Sequence, residues 1–346
     1  MGPAEPKRSS AAEIVARIAA AAAALEFRTF VVGFTRDDRY SRPEHEARYR
    51  ALKVEAGESL LRLWPGRDVD FLAPDVRFDV RIDLSVSMMV APLFVAGRYR
   101  KLSREIPASR WIHHRCMGHG CPECGHTGTL CGPSVQELLA GPLLAAAKGE
   151  GTLFHALGRE DTDVRMLGRG RPFVLEVSHP RRRLLDLAGL QVEVARSAAG
   201  LADVLGLALV DRSAARSVKS AAAEKTYRAI VETRGPLPPD AASRAAELAG
   251  REVRQKSPSR VADRRGSETI RSKRVIESRW LGPFESGYLW EARAESGTYI
   301  KELISGDGGR TTPSLAEFLG MECRCRALDV LDVHWDPPWE RGSLGG

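Results

Sequence analysis

GREDTDVRMLGRGRPF, residues 158–173, sets Arg159, Glu160, Asp161, Asp163 and Arg165 between Gly158 and Gly168. The charges do not recur with the 3.6-residue period of a solvated helix face, so the stretch reads as a loop entering a strand. As a bland feature it is a charged surface loop. As a chemical one it holds a carboxylate ionised among cations, and such a carboxylate acts as nucleophile or base. From Gly158 onward strand and helix patterns alternate, with strands expected at 173–177, 226–233, 287–294 and 322–331. Helices are expected near 240–249, 298–305 and 313–319. KTYRAIVETR (225–234) puts Tyr227, Ala229 and Val231 on one side of a strand. GTYIKELISGD (297–307) opens a short helix with a glycine, an aromatic, an aliphatic residue and Lys301. Alone, Tyr227 reads as core and Lys301 as a solvated helix residue.

Upstream, FRTFVVGF (27–34) reads as a strand and Pro43 to Leu63 as a helix with proline in its first turn. Val76, Phe78, Val80, Ile82 and Leu84 alternate with Arg77, Asp79, Arg81 and Asp83, the pattern of a half-buried strand through residue 84. The basic run GRYRKLSR follows at 97–104. Ala19–Ala24, preceded by Glu13 and Arg17, reads as an Ala-rich surface helix, not a signal peptide. Ser134 and Glu137 have the spacing of a capping box at a helix start.

The chain has 346 residues, 43% of them hydrophobic, enough for two domains with a core each. A formal charge of +7 suits a polyanionic partner. No apolar run is long enough to cross a membrane. Cys116, Cys121, Cys124 and Cys131 fall within a glycine- and histidine-rich stretch, RCMGHGCPECGHTGTLC. Cys121-x-x-Cys124 is a knuckle that turns two thiolates toward one ion, and His113 can replace a thiolate. A structural zinc site is expected from these residues; free cysteines or a redox pair at Cys121 and Cys124 are the alternatives. Cys323 and Cys325 read as small core residues on one side of a strand.

Several blocks, taken in order, resemble one family: GREDTDVRMLGRGRPFVLEV, EKTYRAIV, QKSPSRVADRR, SGTYIKELISGDGGRTTPSL and CRALDVLDV, across residues 158–333. They look like the signature of the archaeal-type pseudouridine synthase that modifies the TΨC loop of tRNA, shared with eukaryotic relatives. PLFVAGRYRKLSREIPASRW upstream resembles the end of that family's THUMP-containing domain. The resemblance implies an isomerase acting at uridine 54, uridine 55 or both, with Asp161 as nucleophile. It implies Tyr227 stacked on the base and assisting loss of the C5 proton, Lys301 paired with Asp161, Ile300 and Leu328 as apolar walls, and Tyr299 as a second substrate contact. No organic cofactor is implied. Two departures stand out: relatives carry an additional Cys-x-x-Cys near the N-terminus, and DRRGS (263–267) replaces the more usual HRRAD.

The expected architecture is α/β (α+β), with a pseudouridine synthase domain whose sheet is mixed and largely antiparallel. The expected boundaries are an Ala-rich N-terminal helix at 1–25, a THUMP-containing RNA-binding domain at 26–110, a Cys-rich zinc-type connector at 111–132 and the catalytic domain at 133–340. HPRRR (179–183) and DRRGSETIRSKR (263–274) are expected to meet phosphates. The expected partner is tRNA, through its TΨC arm, with no membrane association, and the protein is expected to be a cytoplasmic monomer. A methyltransferase is disfavoured because Gly168-x-Gly170 runs into Arg171-Pro172 and a strand instead of opening a helix. A non-catalytic tRNA chaperone with the same fold is the remaining alternative.

Overall fold

The computed structural model describes residues 11–35, 41–81, 83–262 and 269–341. The chain forms two compact units. The first comprises the N-terminal residues through Leu93 together with Leu143–Leu153 and Glu176–Asp186. In it α1 (Ala11–Ala22), β1 (Thr29–Phe34), α2 (Arg42–Leu63), β2 (Asp68–Val69), β3 (Val76–Val80) and β4 (Val86–Val90) follow in order, and the strands lie as β2-β1-β3-β4. β1 is parallel to β2 and β3, and β3 is antiparallel to β4.

Val76 and Phe78 are fully buried, as the alternation predicts. The strand ends at Val80, however, because Leu84 takes a left-handed φ of 63° in a turn that returns to β4. Ile82 lies outside the described residues. The helix α1 is not a surface helix: Ile14 and Ile18, one turn apart, are wholly buried against Phe30, Leu60 and Phe78. Alanine content conceals that stripe, since two isoleucines suffice to define a core-facing side. Phe27, Phe30 and Trp64 meet edge to face, with ring centroids 5.0–6.2 Å apart. Arg183, from the HPRRR segment, is tied to Asp75 at 3.2 Å and also donates to the carbonyl of Ala91, so it is structural, whereas Arg181 and Arg182 are exposed.

The larger sheet has ten strands: β5 (Leu93–Lys101), β6 (Gly151–Ala156), β7 (Val164–Ser178), β8 (Ala202–Val210), β9 (Glu224–Thr233), β10 (Glu252–Lys256), β11 (Ile270–Phe284), β12 (Gly287–Ala294), β13 (Thr311–Thr312) and β14 (Cys323–His334). Their order is β13-β10-β11-β12-β9-β14-β7-β5-β8, with β6 paired to β7. The run from β10 through β12 and β9 to β14 is antiparallel, while β14 and β7 are parallel. The sheet is therefore mixed and largely antiparallel, as expected.

Phe94–Lys101, assigned by sequence to the N-terminal domain, belongs to this sheet, where it pairs with β8. The run GRYRKLSR looks like a basic surface, yet Arg98, Tyr99 and Lys101 are buried. A strand flanked by neighbours buries even its charged residues, provided each finds partners. Arg98 does so with Glu340 at 2.7 Å and the carbonyl of Trp335 at 2.6 Å. Ser134 and Glu137 form the expected capping box, with Ser134 Oγ donating to Glu137 Oε2 at 2.7 Å and accepting from the Glu137 amide at 3.2 Å. The short helices carrying site residues are Ser259–Ala262 and Ile300–Ser305.

Phe78→Ala removes a fully buried ring from the first unit, at a cost of about 3–5 kcal/mol. Urea unfolding followed by circular dichroism should show that unit's transition moving to lower denaturant; an unmoved transition would contradict the packing.

Candidate active site and cysteine loop

The loop from Gly158 to Asp163 enters β7 with its side chains pointing alternately in and out. Glu160 points in. Its side chain is 1% exposed and lies 2.9 Å from Nε of Arg171, itself 2% exposed, and it accepts from the Tyr99 hydroxyl at 3.0 Å. Burial opposes the charge on Arg171, and the neighbouring Glu160 carboxylate more than restores it. Below the same loop Lys101, with no exposed surface, donates to the carbonyls of Ile106 at 2.9 Å, Asp161 at 3.2 Å and Thr162 at 2.6 Å. All three ammonium protons are thus engaged, two of them on the backbone at and next to Asp161. Burial pulls the Lys101 ammonium down to about 8, with the charge of Glu160 acting in the opposite sense.

Asp161 points out. Its carboxylate is 46% exposed and lies on a cavity of about 460 Å³, within the usual range for a small-ligand site. Tyr227, Ile300 and Leu328 line the same cavity with Val164 and Val330, and all five are at least nine-tenths buried. Tyr299 and Lys301 complete the rim. The structure thus brings together every catalytic and substrate-binding candidate named from sequence. They come from the β7 entry loop, β9, β14 and the helix Ile300–Ser305, which the parallel pairing of β14 with β7 and its antiparallel pairing with β9 hold side by side.

The charge pairing differs in one respect from expectation. Lys301 reaches Asp161 Oδ2 at 3.4 Å but sits closer to Asp163, at 2.8 Å from both oxygens. The tighter partner of Asp161 is Arg260, whose Nη1 is 3.0 Å from Oδ2 and whose Nε is 2.7 Å from Glu302. Asp163 is penalised by burial, yet the Lys301 hydrogen bonds and charge bring its carboxyl below the ordinary value. Arg260 lies within QKSPSRVADRR but carries no local signal distinguishing it from the other arginines there. Gln255 is a second residue that sequence reading missed. Fully buried, it clamps the backbone of Tyr299, donating to its carbonyl at 2.9 Å and accepting from its amide at 2.8 Å. That clamp fixes the entrance to the helix bearing Lys301. Arg271 lies over the Tyr299 ring at 5.6 Å. Residues 263–267, the DRRGS departure, lie outside the described residues.

Tyr227 is 8% exposed, and desolvation pushes its phenol up to about 12, Arg171 acting the other way. It is a neutral hydroxyl at physiological pH.

In the cysteine loop, ligand atoms of His113, Cys116, Cys121 and Cys124 all lie within 4.8 Å of one another and could hold a metal ion. Cys121 Sγ is 3.8 Å from Cys124 Sγ and 3.7 Å from His113 Nδ1, and Cys116 Sγ is 4.0 Å from Cys124 Sγ. A tetrahedral ion with metal–sulfur bonds of about 2.3 Å has sulfur–sulfur edges near 3.8 Å. The donor set fits such an ion. Burial disfavours the Cys124 thiolate, but the amides of Cys121 and Gly128 donate to it at 3.2 and 3.3 Å and bring it down to about 7. Glu123 stands 3.8 Å from the other ring nitrogen of His113, where a ligating histidine usually finds a carboxylate. Cys131, expected as a ligand, is outside the group, and His113 takes its place. The loop closes before residue 131: Gly118 and Gly128 approach so closely that a Cβ on Gly128 would lie 2.2 Å from the Gly118 carbonyl oxygen. All four donors of this group come from one loop.

A family model described as "Pus10, C-terminal" matches residues 94–334. The tRNA pseudouridine synthase Pus10 of Methanothrix thermoacetophila is 44% identical over 277 residues, covering 79% of this chain and 61% of that protein. The protein of the same name from Methanopyrus kandleri is 40% identical over 327 residues, covering 89% of this chain and 74% of its own length. The chain spans about three fifths of the first of these relatives and three quarters of the second. With the family model matching well over half of its residues, this chain belongs to the Pus10 family.

Proposed function

We propose that this protein is a tRNA pseudouridine synthase that isomerises uridine in the TΨC loop, at position 54, 55 or both, with Asp161 as nucleophile. The observation that carries the reading is a carboxylate held by two cations, Arg260 and Lys301, at a cavity walled by Tyr227, Ile300 and Leu328. In the reaction Asp161 adds to the ribose C1′ or to the base C6. The N1–C1′ bond breaks, the base turns, and a C5–C1′ bond forms; Asp161 leaves C1′ as that bond forms or, if attached at C6, is eliminated afterwards as the ring double bond is restored. The C5 proton is then lost and N1 takes one up, so substrate and product are isomers and no redox partner or energy source is consumed. The two cations hold the Asp161 carboxylate in place at the cavity, and the apolar walls exclude water that would otherwise capture the intermediate. Tyr227 offers a stacking face; being un-ionised, it acts on the C5 proton through a hydrogen bond, not as a standing phenolate. The target must leave its stack to enter, at a cost of a few kcal/mol.

We read the first unit as the THUMP-containing RNA-binding part, and the cysteine loop as a structural zinc site held by His113, Cys116, Cys121 and Cys124. Zinc there would brace the loop and take no part in isomerisation. The reading places the protein in the cytoplasm, and no described helix is long and apolar enough to cross a membrane.

Wild type and Asp161→Ala should be assayed side by side on unmodified tRNA transcript, with product mapped by carbodiimide labelling and reverse-transcription stops. Wild type should form pseudouridine in the TΨC loop, and the variant should lose at least about a thousandfold in rate. No product from either, despite tight tRNA binding, would favour the chaperone reading. Arg260→Gln should slow the wild-type reaction by about 10–100-fold, the effect of removing a charged hydrogen bond of about 1.5–3 kcal/mol. Metal analysis should find about one zinc per chain, lost in Cys121→Ser and retained in Cys131→Ser. Zinc that survives in Cys121→Ser would refute the ligand assignment.

A further inference from the structure

Lys225 lies on β9 two residues before Tyr227, so both side chains emerge on the same side of the strand, about 7 Å apart. It is 6% exposed and lines the cavity. Its ammonium has three protons to place. It donates to the Ala223 carbonyl at 3.1 Å and reaches Ser296 Oγ only at 3.5 Å. Among the described residues no carboxylate pairs with it. The two carboxylates on the cavity wall are already committed, Glu160 to Arg171 and Asp161 to Arg260 and Lys301. The surroundings are cationic instead: desolvation, Arg171 and Lys273 together pull the Lys225 ammonium down to about 8. A buried amine with no counter-ion is costly, and retaining one at a cavity wall points to an anion arriving from outside.

The rim beside Lys225 suits such an anion. Gly297 has a φ of +83°, and a Cβ built on it would lie 3.8 Å from Arg271 Nη1 and 3.7 Å from Lys273 Cε. Across the cavity Gly158, with φ of +78°, leaves backbone open where a Cβ would lie 3.2 Å from Arg171 Nη1 and 3.9 Å from Lys225 Cε. Six cationic side chains against two carboxylates line the cavity; Asp163 and Glu302, outside the lining, offset Lys301 and Arg260 but do not reach Lys225.

We infer that Lys225, which reaches Ser296, and Arg271, beside the adjoining Gly297, form a seat for one phosphodiester of the RNA strand, next to the nucleotide whose base lies on Tyr227. The inference rests on the proposed reading of the cavity as a nucleotide site. The spacing accounts for its position: a base stacked on Tyr227 carries its phosphate one sugar away, which is the reach from Tyr227 to Lys225 along the strand. The ammonium supplies charge from below, and Arg271, packed on Tyr299, supplies a planar donor from the rim.

The test is tRNA binding measured over about 50–200 mM salt for wild type, Lys225→Gln and Arg271→Gln. Each substitution should weaken binding about tenfold at the lower salt and reduce the slope of log affinity against log salt by about one. Lys225→Gln keeps a hydrogen-bond donor and removes only the charge, so folding is expected to survive; Arg271→Gln interrogates the same phosphate from the half-buried rim should it not. An unchanged slope in either folded variant overturns the inference. The parent reading is judged separately by the isomerisation assay: product from wild type with unchanged slopes sinks only the phosphate seat. Reduced slopes without any product sink only the assignment of the reaction.

Discussion

The site depends on a buried frame of charge beneath the loop that carries Asp161. Glu160, Arg171 and Tyr99 form one arm, and Lys101, on the carbonyls of Asp161 and Thr162, forms the other. Removing either charge of the Glu160–Arg171 pair would strand its partner in a low-dielectric interior, a loss of about 3–5 kcal/mol. Such a pair contributes little net stability against an apolar replacement. What it contributes is direction. Because Glu160 is pinned inward, its neighbour Asp161 must face the cavity, and Lys101 fixes the backbone on which that carboxylate rides. Above the frame the same logic is repeated at lower cost, with Gln255 holding Tyr299 so that Lys301 enters from a fixed helix start.

Much of this was legible in the residues, in an uneven way. Strands whose apolar residues alternate or run together, such as β9, β12 and β14, are where the sequence predicts them. The blocks around Asp161, Tyr227 and Lys301 converge on one cavity. What the sequence concealed was charge with a structural task. GRYRKLSR looks solvated because Arg and Lys dominate it, yet Lys101 and Arg98 are buried. Side-chain burial on a strand is decided by which neighbours pair on either side, and that is a property of the whole sheet. Arg260 and Gln255 went unassigned for the same reason: their partners are 99 and 44 residues away in the chain, and no local spacing announces either contact. In α1 the opposite error arises, since two isoleucines among alanines are enough to turn a helix into core.

In the cysteine loop the fold gathers a different set of side chains from the four cysteines that stand out in the sequence. Four cysteines in a polar stretch suggest four thiolates together, but chain closure decides which side chains meet. Once Gly118 and Gly128 touch, Cys131 is carried past the centre and His113 is left within it. The result is a mixed nitrogen–sulfur set whose histidine is already backed by Glu123.

The order of strands has a further consequence for how the protein comes into being. β7, which the Asp161 loop enters, lies between β5, the first strand of the large sheet to leave the ribosome, and β14, the last of its strands. A nascent chain can therefore assemble the Lys101 clamp before β14 exists, yet the wall that includes Leu328 and Val330 is missing until β14 has been made. The cavity is the last part of this sheet to be completed, and a nascent chain that stops before β14 carries an open one.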